Sequence, residues 1–73
     1  MSAGQFVLLW SQRQNALRID TLAMHASCNR LAYTMDAPGD ERLLMVGTRA
    51  EAEATAASIR PTMAQREHQR AAA

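Results

Sequence analysis

Lysine is missing from this sequence, and all eight of its basic residues are arginine. Against seven acidic residues, they leave a formal net charge of only +1 at pH 7. A charge this small argues against two functional classes, strongly basic nucleic-acid clamps and strongly acidic proteins that imitate DNA. Cys28 is the single cysteine, so it cannot form a disulfide within the chain, and this usage is typical of a reducing compartment.

Long hydrophobic runs are also missing. The apolar stretch FVLLW at residues 6–10 is far shorter than a membrane span, and it lacks the preceding basic residues of an export signal. We therefore predict a cytoplasmic protein with no membrane partner.

Aromatic residues are few, and Phe6, Trp10 and Tyr33 are the only three. The core must therefore be built from aliphatic side chains, methionine and alanine. A chain of 73 residues is one small domain, and a chain of this size buries only about 60% of its unfolded surface. Its stability is then marginal, and support from a partner subunit is expected.

The first predicted elements are two strands joined by a hairpin. Residues 5–11 (QFVLLWS) are apolar on both sides of the pleat, which is typical of a central strand. Asn15 tolerates a left-handed backbone and predicts a tight connection. Residues 16–20 (ALRID) then alternate, with Leu17 and Ile19 directed inward, and predict the second strand.

A helix is predicted to follow the hairpin, capped by Asp20 or Thr21. Its apolar side chains recur at helical spacing and are expected to face the core. They are Met24, Cys28, Leu31 and Met35. After the helix, Pro38 and Gly39 stand in the order of a type II turn, which needs a positive φ at the glycine.

Residues 42–61 have the strongest pattern, which predicts a buried strand and then a second helix. The run RLLMV ends at Gly47, and Thr48 with Glu51 forms a capping box at the helix start. Pro61 is expected to end or kink the helix. The apolar side of this helix is Ala52, Ala56, Ile59 and Met63.

The predicted order of elements is β-β-α-β-α, which belongs to the α+β class. The first strand is the most apolar, so we place it in the middle of a three-stranded antiparallel sheet in the order 2-1-3. Both helices are expected to cover one face of this sheet. One domain then spans residues 5–63, and residues 64–73 form either a polar helical extension or a disordered tail.

The other face of the sheet would carry four aliphatic side chains, Val7, Leu9, Leu44 and Val46. Each would forgo about 1.5–3 kcal/mol of stabilisation if it stayed in water. A second copy of the chain is the simplest cover, because two-fold homodimers are the commonest oligomers. We therefore predict a homodimer through these residues, the alternative being that the C-terminal segment folds over them.

Motifs for catalysis are missing from the sequence. It has no nucleophile elbow, glycine-rich phosphate loop or paired carboxylates, so we assign no catalytic residue and predict that the protein is not an enzyme. His25 and Cys28 are close enough on one helix to share a metal ion, but zinc would need two further ligands. We therefore assign no metal site and no cofactor.

Arginines recur toward the C-terminus. Arg66 and Arg70 are one turn apart if the helix continues past Pro61, and Arg13 lies at the tip of the predicted hairpin. These three arginines are the candidate nucleic-acid contacts. Glu67 lies among them and no aromatic residue accompanies them in sequence, so a solvated basic face is the favoured interpretation.

Three segments carry a resemblance to a known family: residues 6–20 (FVLLWSQRQNALRID), 29–33 (NRLAY) and 46–62 (VGTRAEAEATAASIRPT). Across residues 6–63, the chain resembles small proteins carried on conjugative plasmids and integrative elements of proteobacteria. Some of these are labelled antirestriction proteins of the ArdR type. The resemblance implies a mobile-element context and brings no catalytic motif. Antirestriction proteins that occupy the DNA groove of a restriction enzyme are strongly acidic, and this chain is not.

We therefore expect a non-enzymatic accessory protein of a mobile genetic element, with antirestriction as its candidate role. It would act by macromolecular binding to a protein partner that the sequence does not identify. The alternative is a small DNA-binding transcriptional regulator that uses an arginine surface. Salt dependence separates the two, because a complex held by phosphate contacts weakens steeply as salt rises.

Overall fold

A computed structural model of the chain describes residues 4–37 and 39–72. The elements follow one another as β1 (Phe6–Ser11), β2 (Ala16–Thr21), α1 (Leu22–Thr34), β3 (Glu41–Gly47) and α2 (Arg49–Ala72). The three strands form one antiparallel sheet in the order β2-β1-β3. The α+β class and the 2-1-3 strand order are thus confirmed, while residues 1–3, Pro38 and residue 73 lie outside the description.

Strands β1 and β2 form the predicted hairpin. Their register runs from Phe6 opposite Thr21 to Ser11 opposite Ala16. Asn15 closes the turn in the left-handed region, with φ of 50°. Asparagine tolerates this conformation better than most residues do, so the predicted role of Asn15 in the tight connection is confirmed.

Two hydrogen bonds fix the start of helix α1, one from an N-cap and one to the residue before β1. The Thr21 hydroxyl accepts a hydrogen bond from the amide of Met24 at 3.1 Å. The amide of Leu22 donates to the carbonyl of Gln5, just before β1, at 2.8 Å. Together these bonds fix the first turn, and with it the rotation of the helix about its own axis.

The rotation of α1 turns its apolar stripe to solvent, so the expectation that this stripe faces the core is wrong. Met24, Leu31 and Met35 are 54%, 60% and 66% exposed, and Cys28 is exposed as well. No residue of the helix is fully buried. The half-buried side chains are instead Leu22, His25, Ala26 and Ala32.

The end of α1 differs from the predicted type II turn. Gly39 has no positive φ, whereas Asp36 has φ of 54°. The amide of Asp36 donates to the carbonyl of Tyr33 at 3.1 Å, and that of Ala37 donates to the carbonyl of Ala32 at 2.9 Å. These bonds form a Schellman motif with Asp36 in the left-handed position, so the chain reverses before the glycine.

The core lies between α2 and one face of the sheet. Leu8 of β1 and Ala52 and Ala56 of α2 are completely buried or nearly so. Because alanine is small, α2 approaches the sheet closely enough to contact all three strands. The partly buried side chains packed around this centre are Leu17, Ile19, Met45 and Ile59.

The opposite face of the sheet is covered over β1, so the expectation that Val7 and Leu9 are open to solvent is wrong. Val7 and Leu9 point away from Leu8, because successive side chains of a strand alternate, yet both are 0% exposed. Helix α1 contacts β1 and β2, and the Arg18–Glu41 pair spans β1 beside Leu9. Leu43 and Val46 of β3 stay exposed on the same face.

Strand β3 contains a bulge that moves Leu44 to the other face of the sheet. The register slips between Leu8 and Leu9, so that Leu9 pairs with Leu43 and Leu44 is left unpaired. A bulge of this kind interrupts the alternation of side chains. Leu44 therefore lies on the α2 side, where it lines the same groove as Ile59, and its predicted place on the opposite face is wrong.

Helix α2 begins at the predicted capping box, which is confirmed. The amide of Glu51 donates to the Thr48 hydroxyl at 3.0 Å, and the amide of Thr48 donates to the Glu51 carboxylate at 2.9 Å. Pro61, however, neither ends the helix nor interrupts it before Ala72. Proline removes only its own bond to the carbonyl of Ala57, and both residues are exposed, so water can satisfy that carbonyl.

A charged cluster spans the sheet on the Leu9 side. Arg18 of β2 donates two hydrogen bonds to Glu41 of β3, at 2.9 and 2.7 Å, and a third to Asp20 at 2.7 Å. These bonds lower the pKa of both carboxyl groups below their ordinary values and raise the pKa of the guanidinium. The cluster joins the two edge strands across β1.

Because of this charged cluster, we predict that part of the free energy of unfolding is lost at acid pH. A carboxyl group with a lowered folded-state pKa stabilises the fold above its unfolded pKa of about 4, and this contribution is lost as the pH falls through the folded-state value. We expect Arg18→Met to lose less stability than the unaltered chain between neutral pH and about pH 3. Urea unfolding at both pH values measures this difference.

Arg49→Met is the control for this measurement, because the Arg49–Glu53 pair is exposed and longer, at 3.4 Å. We expect the control to follow the unaltered chain. If Arg18→Met lost as much stability on acidification as the unaltered chain, the prediction would be contradicted.

Candidate functional site

Helix α2 is much longer than the strands it covers. Its 24 residues span about 36 Å, whereas a six-residue strand spans about 20 Å. The C-terminal turns of α2 therefore reach the β1–β2 hairpin, where Glu67 is bonded to Asn15. A groove of about 430 Å³ lies between residues 58–70 of α2 and the strands.

The groove has an apolar floor and a cationic rim. The floor is formed by Trp10 and Leu44 from the sheet and by Ile59 and Met63 from α2. The rim consists of Arg42 from β3 and Arg66 and Arg70 from α2. We call this site the arginine groove.

The sequence spacing explains why these side chains share one side of α2. Ile59, Met63, Arg66 and Arg70 stand at i, i+4, i+7 and i+11, so they lie along one stripe of a continuous helix. This is the stripe that carries Ala52 and Ala56 over the core. The stripe that faces the sheet thus changes from apolar to cationic where the helix leaves the sheet.

The arginines of the groove carry no ion pair within residues 4–37 and 39–72. The salt bridges found there join Arg18 to two carboxylates and Arg49 to Glu53. The nearest acidic side chain on α2, Glu67, accepts a 3.4 Å hydrogen bond from the Asn15 amide group instead. The guanidinium groups of the groove are therefore available to an anion.

Trp10 is held in a fixed orientation at the floor of the groove. Its indole N–H donates to the Asn15 side-chain oxygen at 3.0 Å, and Asn15 in turn bonds to Glu67. These contacts also join the hairpin to α2. This arrangement could not be predicted from the apolar pattern of β1, because Trp10 and the arginines of α2 are far apart in the chain.

Arg13 does not belong to the groove. It lies in the hairpin turn, where its backbone amide donates to the Asp40 carboxylate at 2.9 Å. The Ser11 hydroxyl donates to the same carboxylate at 3.0 Å, and the two bonds lower the pKa of Asp40. Of the three arginines predicted from sequence as nucleic-acid contacts, the structure brings Arg66 and Arg70 together and adds Arg42.

The four residues predicted as a dimer surface do not form one surface. Val7 and Leu9 are completely buried, and Leu44 lines the arginine groove. Val46 is 44% exposed and lies on the side of Leu43, which is 50% exposed. Self-association stays a prediction, and it cannot involve Val7 or Leu9.

His25 and Cys28 do not form a metal site with other side chains. His25 lies 3.3 Å from the side-chain amide nitrogen of Asn29, and Cys28 is exposed. In the described part of the chain, no three histidine, cysteine, aspartate or glutamate side chains come together. Nor does either helix there combine the length and apolarity needed to cross a membrane.

A groove with an apolar floor, a fixed aromatic ring and three arginines can hold a ligand that combines flat apolar groups with negative charge. Guanidinium groups bind phosphate or carboxylate through paired hydrogen bonds, and the floor supplies contact area. Comparisons with protein-family models, with curated proteins and with solved structures find no match to this chain.

Proposed function

We propose that the protein is a non-enzymatic binding protein and that its ligand is a nucleic acid held in the arginine groove. The observation that carries this proposal is the set of three arginines, Arg42, Arg66 and Arg70, around the only tryptophan of the chain. Phosphate groups supply the negative charge that the rim lacks, and bases supply flat apolar surface for the floor.

The distribution of charge supports this ligand although the net charge is only +1. On the Leu9 side of the sheet, Arg18 is paired with both Asp20 and Glu41, so this cluster carries an excess of negative charge. Asp40 is bonded to Ser11 and to the amide of Arg13. The positive field is therefore concentrated on the groove side, and a local field of this kind attracts a polyanion more than the net charge indicates.

The groove favours the DNA-binding alternative over binding to a protein partner. An accessory role in a mobile genetic element, with antirestriction as its purpose, remains a proposal that rests on the resemblance over residues 6–63. Nucleic-acid binding is compatible with that role and does not depend on it.

Binding to labelled oligonucleotides, followed by fluorescence anisotropy at several salt concentrations, tests the proposal. With three phosphate contacts, we expect the logarithm of the affinity to fall with the logarithm of salt at a slope between about −2 and −3. We expect the double variant Arg66→Ala/Arg70→Ala to bind roughly 10- to 100-fold more weakly at low salt, with the slope reduced by roughly 1.5.

The matched control is Arg30→Ala/Arg60→Ala, which removes the same charge. Arg30 lies on α1 and Arg60 on α2, both are exposed, and neither lines the groove. This control should retain the affinity and the slope. Equal losses in the two double variants, or no loss in either, would show that the groove is not the binding site.

A further inference from the structure

Trp10 lines the groove together with Leu44 and Met63, and its side chain is half-buried. Its indole N–H is already bonded to Asn15 at 3.0 Å, so the ring itself is what Trp10 can offer a ligand. An aromatic ring binds another flat ring by stacking, which is tolerant of base sequence.

The arginines come from both walls of the groove, the sheet and α2. Arg42 comes from β3, whereas Arg66 and Arg70 come from α2 on the other wall of the groove. A strand whose base stacks on Trp10 would place its flanking phosphates between these walls. Alternation of stacking aromatics with backbone-binding cations is the usual arrangement in proteins that hold unpaired strands.

A base-paired duplex does not fit this arrangement. Each base within a duplex is stacked on both sides, so away from the duplex ends no base face is free unless the nucleotide is flipped out at a cost of a few kcal/mol. The groove volume of about 430 Å³ lies within the range of about 300–1,000 Å³ of small-ligand pockets. A site of this size admits one or two nucleotides.

We infer that the arginine groove is a site for single-stranded nucleic acid, in which one unpaired base stacks on Trp10 and the neighbouring phosphates contact the arginines. This inference rests on the proposed function and names the form of nucleic acid that the groove takes. It predicts selectivity for unpaired over paired strands, and little selectivity among bases.

The single tryptophan makes the test direct, because all tryptophan emission of the chain comes from Trp10. The probes are an oligothymidylate, an abasic deoxyribose-phosphate strand of equal length and a blunt duplex. We expect the oligothymidylate to quench the emission and to bind at least about tenfold more tightly than either of the other two. The abasic strand separates base stacking from phosphate contact.

Two variants add a second readout. Trp10→Phe keeps an aromatic face and should retain most of the preference for oligothymidylate over the abasic strand, whereas Trp10→Ala should lose it. Circular dichroism shows whether each variant is folded. If Trp10→Ala is not folded, the change in tryptophan emission of the unaltered protein on binding is the deciding measurement for base stacking.

The inference and the proposed function fail in different ways. Equal affinity for the duplex and the single strand, or unchanged emission on binding, would overturn the single-strand inference. The proposed function would still stand if binding depended on Arg66 and Arg70. If binding of every probe is unaffected by Arg66→Ala/Arg70→Ala, the proposed function is overturned as well.

Discussion

Leu9→Glu is expected to unfold the chain. Leu9 has no exposed surface, so the substitution removes a buried aliphatic side chain. It also buries a third carboxylate beside Arg18, whose guanidinium is already bonded to Glu41 and Asp20. Each of these changes is among the most destabilising that a single substitution causes, and together they amount to about 4 kcal/mol or more. The whole stability of a 73-residue domain is roughly 4–11 kcal/mol.

Leu43→Glu is the matched control for this experiment. Leu43 pairs directly with Leu9 but is 50% exposed, so the new carboxylate can remain in water. We expect it to cost less than about 1 kcal/mol, which corresponds to a fall in Tm of less than about 4–8 °C for a domain of this size. Thermal and urea unfolding followed by circular dichroism measure both variants.

The pair of variants tests whether the second face of the sheet is closed. A folded Leu9→Glu protein with the stability of Leu43→Glu would mean that Leu9 is not enclosed in the folded chain. The open face on which the predicted homodimer depended would then exist after all.

Ala56→Leu is expected to cause the second largest loss. Ala56 is 1% exposed and lies in the closest contact between α2 and the sheet, against Leu8. Three additional carbon atoms there must push the helix outward or force side chains out of their preferred rotamers. Overpacking of this kind costs about 1–3 kcal/mol. Urea unfolding gives the free energy directly.

Ala57→Leu provides the control, because Ala57 is the next residue of the same helix and is exposed. Alanine and leucine have similar helix propensities, so the control isolates packing. We expect the control to stay within about 0.5 kcal/mol of the unaltered chain. Should Ala56→Leu be equally stable, α2 would have to move away from the sheet without cost, and the core would not depend on alanine.

Much of the fold could be predicted from the sequence, because its signals are local. The alternation of residues 16–20 predicted an edge strand, and Asn15 predicted the left-handed turn that the structure has. Thr48 and Glu51 predicted a helix start that forms with both reciprocal hydrogen bonds. In each case, a few neighbouring residues determine the outcome.

Other features depend on contacts that neighbouring residues do not reveal. The bulge that redirects Leu44 depends on the pairing of β3 with β1, and no glycine marks it. The rotation of α1 is set by its first turn, so Met24 and Leu31 face solvent despite their helical spacing. The expectation that Pro61 ends or kinks α2 is wrong, since a long alanine-rich helix tolerates the loss of one hydrogen bond.

The candidate site was predicted only in part, for the same reason. Arg66 and Arg70 were identified from their spacing on a helix. Trp10 and Arg42 join them only because β1 and β3 pack opposite the C-terminal part of α2. A tertiary arrangement of this kind leaves no pattern within any one segment.

The position of β1 in the middle of the sheet has a consequence for the folding reaction. β1 can pair with β2 across a short turn within about 1–10 μs, but its other edge must wait for β3, which lies beyond the whole of α1. During that interval, the stretch FVLLW has an unpaired backbone edge and no charged side chain to prevent association. Nascent or unfolded chains are therefore prone to aggregate through this segment, and the docking of β3 removes that hazard.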